Sequence, residues 1–433
     1  MKVIFVSQAY RPSHDATAQL VADLAEALVA RGHEVHVLTP GRNYMTGEAL
    51  ARRETLGGVQ ITRVLMPLGG KKTHWHRAAG FATFLLLSAP IAVALASPGS
   101  VVMYLSSPPY GGWSARIVRS LRGARTCLVA QDMYPDIAVA MGYLDGEARR
   151  ALAMAIDKVV LRGFDRIVAV GQRMRERFIA KGIAAGRITV IENWALSEPP
   201  VLPSRRDNQL LRELGLAGKF VVQYSGNMGV VHDMQAIVDA AVALRADPEI
   251  AFLMIGAGHR RVEIERAIAM HRLDNITLLP YQPAERLPVS LSAADVALVS
   301  LRPELEGLVV PSKLYGVLAV GMPVIFIGDQ DGEVARTIHR GACGVTVGGG
   351  AELATAIRAM RSDAPGRATM GASARRLFEA ELRRSFGIAK YEALIDDLGS
   401  RPSVVTHRGS APGSPDLPRR VLARRGRDLD PGQ

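Results

Sequence analysis

Tyr224-Ser225-Gly226-Asn227-Met228-Gly229 sets glycine and small polar residues between a buried-strand pattern, Lys219 to Tyr224, and a helical pattern, Val231 to Leu244. A turn of this composition predicts backbone N–H groups aimed outward near a helix N-terminus, where the peptide dipoles favour an anion. Taken alone, the glycines could equally serve only to turn the chain. A second run, Leu305 to Tyr315, contains Glu306, Gly307, Leu308, Val309, Pro311, Ser312 and Lys313. Pro311 suits the opening position of a helix, which predicts Ser312 and Lys313 in its first turn. A lysine there opposes the helix dipole and costs stability, and a bound anion would reverse the sign. The two runs together predict a phosphate-binding cleft.

The elements that must position these runs are legible as alternating patterns. In the first half, apolar runs at Val3, Val35, Val59, Val101, Thr126, Ile167 and Ile188 alternate with segments of helical spacing such as Ala16 to Ala30. That alternation predicts a parallel, doubly wound sheet. Pro199, Pro200 and Pro203 interrupt it, and the alternation starts again at Phe220, Ile250, Ile276, Val296, Val324 and Gly344. The fold class is therefore α/β, with two Rossmann-like doubly wound parallel-sheet domains facing across a cleft. Residues 1–198 form the first and 205–380 the second. Open α/β sheets bind ligands at the carboxyl ends of their strands, where both runs fall.

At 433 residues and 48% hydrophobic content, the chain is long enough for two cores. Cys127 and Cys343 are the only cysteines and fall in different halves. With no export signal before the first strand, this predicts a reducing, cytoplasmic compartment. The net charge of +12 draws the chain to phosphate-rich partners. No RNA-binding aromatic motif, zinc spacing or basic recognition helix is present, so nucleic acid is not an expected partner. No spaced His or Asp cluster argues for a metal site, and no cofactor is expected. Residues 400–433 mix arginines with Pro, Gly and Ser and read as a solvated, disordered tail. Residues 71–96 fit neither half: Lys71, Lys72, His74, Trp75, His76 and Arg77 precede the nearly apolar stretch Ala78 to Ala96. This is expected to be a helix lying on the inner, anionic face of a membrane, the alternative being a helix packed on the first sheet.

The sequence resembles the retaining glycosyltransferases of the GT-B fold, family 4, in the branch of exopolysaccharide, O-antigen and colanic-acid sugar transferases. The resemblance rests on Arg31-Gly32-His33-Glu34-Val35, Gln131-Asp132-Met133-Tyr134-Pro135-Asp136, Val190-Ile191-Glu192-Asn193-Trp194, the cradle run, Ile255-Gly256-Ala257-Gly258, Pro311-Ser312-Lys313-Leu314 and Gly321-Met322-Pro323-Val324-Ile325. They occur in the expected order from residue 1 to about 398. The resemblance implies a nucleotide diphosphate sugar as donor, held by the second domain, and a saccharide acceptor, lipid-linked in this branch, on the first. It implies that Gly226, Asn227, Met228 and Gly229 bind the diphosphate with their N–H groups and that Lys313 pairs with the departing phosphate. His232, Gly256 and Ser312 would border the diphosphate, and Tyr281 and Gln282 would meet the base. Glu306 would reach the donor sugar by its side chain, and Gly307, Leu308 and Val309 by backbone. Residues 381–398 would form a helix crossing back to the first domain.

Departures from the family pattern leave questions open. The cradle's usual Arg and Lys align with Asn227 and His232, and a second glutamate of the family aligns with Gly316. Asp132 follows a strand and is expected either to touch substrate or to cap the segment near Tyr134. Glu333 could reach the sugar or complement its own helix dipole. Two other readings remain beside the transferase: an epimerase of the same fold acting on a nucleotide sugar, and a catalytically silent nucleotide-sugar sensor.

Overall fold

The computed structural model describes residues 1–13, 15–42, 47–65, 74–196 and 205–400. Lys71, Lys72, the Pro199–Pro203 segment and the tail from 401 onward lie outside the described residues.

The first sheet has eight strands: β1 (Lys2–Val6), β2 (Glu34–Pro40), β3 (Arg53–Leu56), β4 (Val59–Val64), β5 (Val101–Leu105), β6 (Arg125–Ala130), β7 (Arg166–Ala169) and β8 (Ile188–Val190). Their spatial order is β3-β4-β2-β1-β5-β6-β7-β8. All neighbours are parallel except β3 and β4, which form an antiparallel hairpin around Gly57 and Gly58, both at positive φ. A two-residue turn of that kind needs left-handed backbone at both positions, which two glycines supply. The sequence reading found β4 but not β3, because every β3 residue is exposed and presents no apolar alternation. Central strands such as β5 and β6 are buried along their whole length, as expected for a sheet covered on both faces.

The second sheet, entirely parallel, comprises β9 (Phe220–Ser225), β10 (Ile250–Ile255), β11 (Ile276–Leu279), β12 (Val296–Ser300), β13 (Val324–Ile327) and β14 (Gly344–Val347). The order β11-β10-β9-β12-β13-β14 reverses direction between β9 and β12. Loops leaving such a pair of strands turn to opposite faces and open a crevice between them. The glycine run leaves β9 at that crevice, and the Glu306–Lys313 segment follows β12.

One apolar cluster runs through both lobes, joining Ile4 and Val6 of β1 to Val299 of β12 by way of Met133, Leu305 and Leu308. The helix Arg384–Ser400 lies on the first lobe, against the Ala16–Ala30 helix and β5. Asp23 of that first helix accepts from Trp194 Nε1 at 2.8 Å and from Arg384 Nε at 2.7 Å. Trp194 also stands edge-on to Tyr391, 6.1 Å between ring centroids. The His74–Leu95 helix packs along the Gly112–Arg122 helix with Phe84, Ser88 and Ala92 buried, while Leu86 and Leu87 are exposed. One face is packed on the sheet and the other faces outward. No helix among the described residues is long and apolar enough to cross a membrane.

Candidate active site

Three loops interlock at the carboxyl ends of β9, β10 and β11. Gly226 N donates to Ile255 O at 2.9 Å, Met228 N to Ala257 O at 2.8 Å, and Gly256 N to Leu279 O at 3.0 Å. Gly256 and Gly258 have φ of +138° and +148°, and a Cβ at Gly256 would sit well inside van der Waals contact with the Gly226 carbonyl. Only glycine permits this approach. The internal bonds revise the expectation for the cradle. The N–H groups of Gly226 and Met228 hold the loops together, whereas those of Asn227 and Gly229 donate to nothing among the described residues. The helix also begins later than its pattern implied, at Met234, and Asp233 caps it by accepting from Ala236 N at 3.1 Å. The free amides thus belong to the loop rather than to the helix end.

Lys313 opens the Lys313–Ala319 helix and reaches back to this loop. Its Nζ hydrogen-bonds to Tyr224 Oη, lies 3.7 Å from the centroid of the Tyr224 ring and is 3.5 Å from His232 Nε2. Tyr224 Oη donates to Asn227 O at 2.8 Å, so toward Lys313 it acts as acceptor. His232 Nδ1 is 2.5 Å from Ser300 O, a carbonyl, so that nitrogen carries the proton and Nε2 presents a lone pair to the ammonium. Burial, followed by the charge of Lys313, pushes the His232 imidazolium down to about 3. Burial also holds Lys313 well below the ordinary lysine range. The ammonium therefore sits among neutral acceptors, with no carboxylate bonded to it among the described residues. A partly buried cation without a counter-ion carries a desolvation cost, and an incoming anion relieves it. His232 does not offer a second cation; it holds Lys313 in place.

Tyr281 and Gln282 lie in the loop after β11, Tyr281 exposed and hydrogen-bonded to the Ala257 backbone. Ser312 precedes Lys313 and makes no capping bond. These residues border the interlocked loops on two sides.

The segment from Glu306 to Val309 has a different place. Glu306 is buried, and its Oε1 accepts from Glu333 N at 2.8 Å, capping the Glu333–Arg340 helix. Glu333 Oε2 in turn accepts from Arg173 N, at 2.8 Å, in the first turn of the Gln172–Ala180 helix of the other lobe. Glu333, the acid in the first turn of its own helix, therefore also serves a helix of the other lobe. Leu308 O accepts from Met133 N at 2.9 Å, and Val309 forms an isolated antiparallel bridge with Asp132. Where a sugar contact was expected from Glu306 and the Leu308 backbone, the structure shows a seam between the lobes. Sequence reasoning missed Arg173 because its role depends on a backbone amide, which carries no residue signature.

Asp132 stands at this seam. Ser106 Oγ accepts from both Gln131 N and Asp132 N at 3.1 Å, and Gln131 and Asn193 pair through both amide groups at 2.8 and 3.0 Å. The backbone under Asp132 is thus fixed, while its carboxylate has no partner among the described residues. It caps nothing: the next helix starts at Asp136, which pairs with Lys181. Burial pushes the Asp132 carboxyl up to about 6. Raised above its unfolded value, it makes ionisation unfavourable for folding, so native stability falls as pH climbs from about 4 through 6 and stays lowered above. Asp132→Asn should raise the melting temperature at neutral pH and leave it unchanged near pH 4. Equal gains at both pH values would show that ionisation is not the cause.

Two α/β sheets of this topology, of eight and six strands, give the GT-B arrangement. Residues 16–194 match the family model described as glycosyl transferase 4-like domain, and residues 208–377 match glycosyl transferases group 1. The chain belongs to the family 4 glycosyltransferases, retaining enzymes that use nucleotide sugars. It is 26% identical over 352 residues, 78% of this chain and 85% of the relative, to the putative colanic acid biosynthesis glycosyl transferase WcaI of Escherichia coli. It is 26% identical over 248 residues to the probable glycosyltransferase WbjE of Pseudomonas aeruginosa, covering 57% of this chain and 62% of that one. Among solved structures, sucrose-phosphate synthase of Thermosynechococcus elongatus superimposes with a TM-score of 0.71 at 18% identity, over 92% of this chain and 99% of that one. HepE of Anabaena, solved with UDP-glucose, gives 0.67 at 15% identity, over 92% of this chain and 98% of that one.

Proposed function

We propose that the protein transfers a sugar, with retention at the anomeric carbon, from a nucleotide diphosphate sugar to a lipid-linked saccharide in cell-surface polysaccharide synthesis, while attached peripherally to the cytoplasmic face of a membrane. The observation that carries this reading is Lys313: a partly buried ammonium held by neutral acceptors beside the undonated amides of Asn227 and Gly229. That arrangement suits an incoming diphosphate. The UDP-glucose bound by HepE supports a uridine nucleotide as donor, and the name of WcaI supports a polysaccharide product.

In the reaction the bond from the anomeric carbon to the diphosphate oxygen breaks, and a bond to the acceptor oxygen forms on the same face. The departing phosphate oxygen takes the acceptor's proton. Negative charge grows on that phosphate, so fixed donors already aimed at it lower the barrier without reorganising. Lys313 and the Asn227 and Gly229 amides supply them, and Tyr281 and Gln282 border the base. Asp132, unpaired and fixed by its backbone, faces the reacting sugar from the first lobe.

A panel of uridine, guanosine and thymidine diphosphate sugars tests the donor. At about a hundredfold excess over its dissociation constant the true donor should stabilise the fold by ~2.7 kcal/mol, read as a melting shift. Release of nucleoside diphosphate should then require a saccharide acceptor. An epimerised donor without release, or no shift with any donor, would defeat the reading.

A further inference from the structure

The helices on one side of the first sheet carry an outward apolar surface that no described part of the chain covers. On the Gly112–Arg122 helix, Trp113, Ile117 and Leu121 recur at every fourth position and are 54%, 47% and 67% exposed. That spacing aligns them on one stripe. Ala115 and Val118 bury the opposite face in the core, so packing does not account for the stripe. The neighbouring helices carry further exposed leucines, Leu86, 74% exposed on His74–Leu95, and Leu152, 62% exposed on Glu147–Leu161. The helices form one layer: Arg122 Nε donates to Ala96 O at 2.9 Å, and Gly112 lies so close to the Val160 backbone that a Cβ would collide. Single exposed apolar side chains are ordinary, but a three-residue stripe on a helix packed beside helices with further exposed leucines marks an interaction surface.

Charge decides what that surface meets. The Gly112–Arg122 helix contains no acidic residue. Arg116, Arg149, Lys158 and Arg162 are exposed on these helices and their ends, with no carboxylate partner among the described residues. We propose that this face docks on the surface of an anionic lipid bilayer. Tryptophan and aliphatic tips enter the acyl boundary while guanidinium and ammonium stems reach lipid phosphates beside them. Since no described helix can cross a bilayer, the layer lies on the surface. The inference rests on the proposed function and deepens it by orienting the enzyme. Trp113 follows directly on the loop after β5, whose Ser106 holds the Gln131–Asp132 backbone. An acceptor whose lipid part stays in the bilayer would therefore meet the cleft at the rim of its first lobe.

The test mixes the full chain with vesicles of phosphatidylcholine plus phosphatidylglycerol, or of phosphatidylcholine alone, and measures the pelleted fraction. The wild type should pellet with the anionic vesicles only, less so at high salt. Trp113→Ser with Leu121→Asn, and separately Arg116→Glu with Lys158→Glu, should each lower partitioning about tenfold or more. Both variants should keep the donor-induced melting shift, which reports an intact fold and donor site. Lost docking with donor binding retained separates this surface from the chemistry, and docking without any donor response would fail the transferase reading alone. Variants that pellet like wild type would overturn the proposal. So would a dimer that forms with rising concentration and is abolished by Trp113→Ser with Leu121→Asn, which would assign the face to a second copy of the chain.

Discussion

Lys313→Ala is expected to lower turnover by about 10²–10³-fold, the scale of losing one preorganised donor aimed at developing negative charge, while the protein stays folded. Among the described residues its Nζ bonds only to Tyr224 and His232, so truncation leaves neither of them a buried charge to neutralise. The removal of a partly buried cation without a counter-ion itself favours the folded state. Activity should thus fall without a matching fall in melting temperature. Lys313→Arg should not rescue: a planar guanidinium does not fit the point-charge position above the Tyr224 ring, 3.7 Å from its centroid. His232→Gln should lose less, because it preserves an acceptor facing Lys313, whereas His232→Ala should approach the loss of Lys313→Ala. Steady-state kinetics of the four variants decides this. Turnover retained in Lys313→Ala would mean that the leaving phosphate is stabilised elsewhere.

The next largest effect belongs to Gly256→Ala. The added Cβ would be driven into the Gly226 carbonyl, and the φ of +138° is strained for any side chain. Neither atom belongs to a flexible group, so the β9 and β10 loops must separate. A loss of about 2–4 kcal/mol in denaturant stability is expected, from combined backbone strain and overpacking. Donor affinity should drop as well, because the displaced loop is the one that fixes Met228 through its 2.8 Å bond to Ala257 O. Gly316→Ala supplies the contrast. It lies within the Lys313–Ala319 helix, and a Cβ there meets nothing within 4 Å, so stability should rise by up to about 1 kcal/mol. Equal stability changes at the two glycines would rule out the steric explanation.

Much of the fold was legible because parallel strands covered on both faces are written as continuous apolar runs, such as Val101–Leu105 or Ile250–Ile255. Family resemblance, tied to motifs in order along the chain, supplied the GT-B arrangement and the enzyme class. What escaped reading was carried by backbone or by distant partners. The β3 strand shows no apolar face, and Gly57-Gly58 was its only local sign. The glycine run reads as an anion loop, but nothing in the residue types tells which N–H groups the adjoining loop occupies. His232 was expected at the border of the diphosphate, and its hold on Lys313 escaped reading because a sequence does not display the Ser300 carbonyl that fixes its tautomer. Glu306 read as a sugar contact, and the helix it caps begins 27 residues later in the chain.

Glu306, Glu333 and Arg173 link end to end across the two lobes. Arg173 adds a guanidinium that donates to Asp331 O at 2.9 Å, so the tether has a second strand. Gaping of the mouth by more than a bond length must strip an anionic cap from the Gln172–Ala180 helix, which has no side-chain cap of its own. Breathing of the enzyme is thereby tied to fraying at a helix tip of the first lobe. Hydrogen exchange at the Arg173 amide would consequently serve as a clock for each admission of substrate.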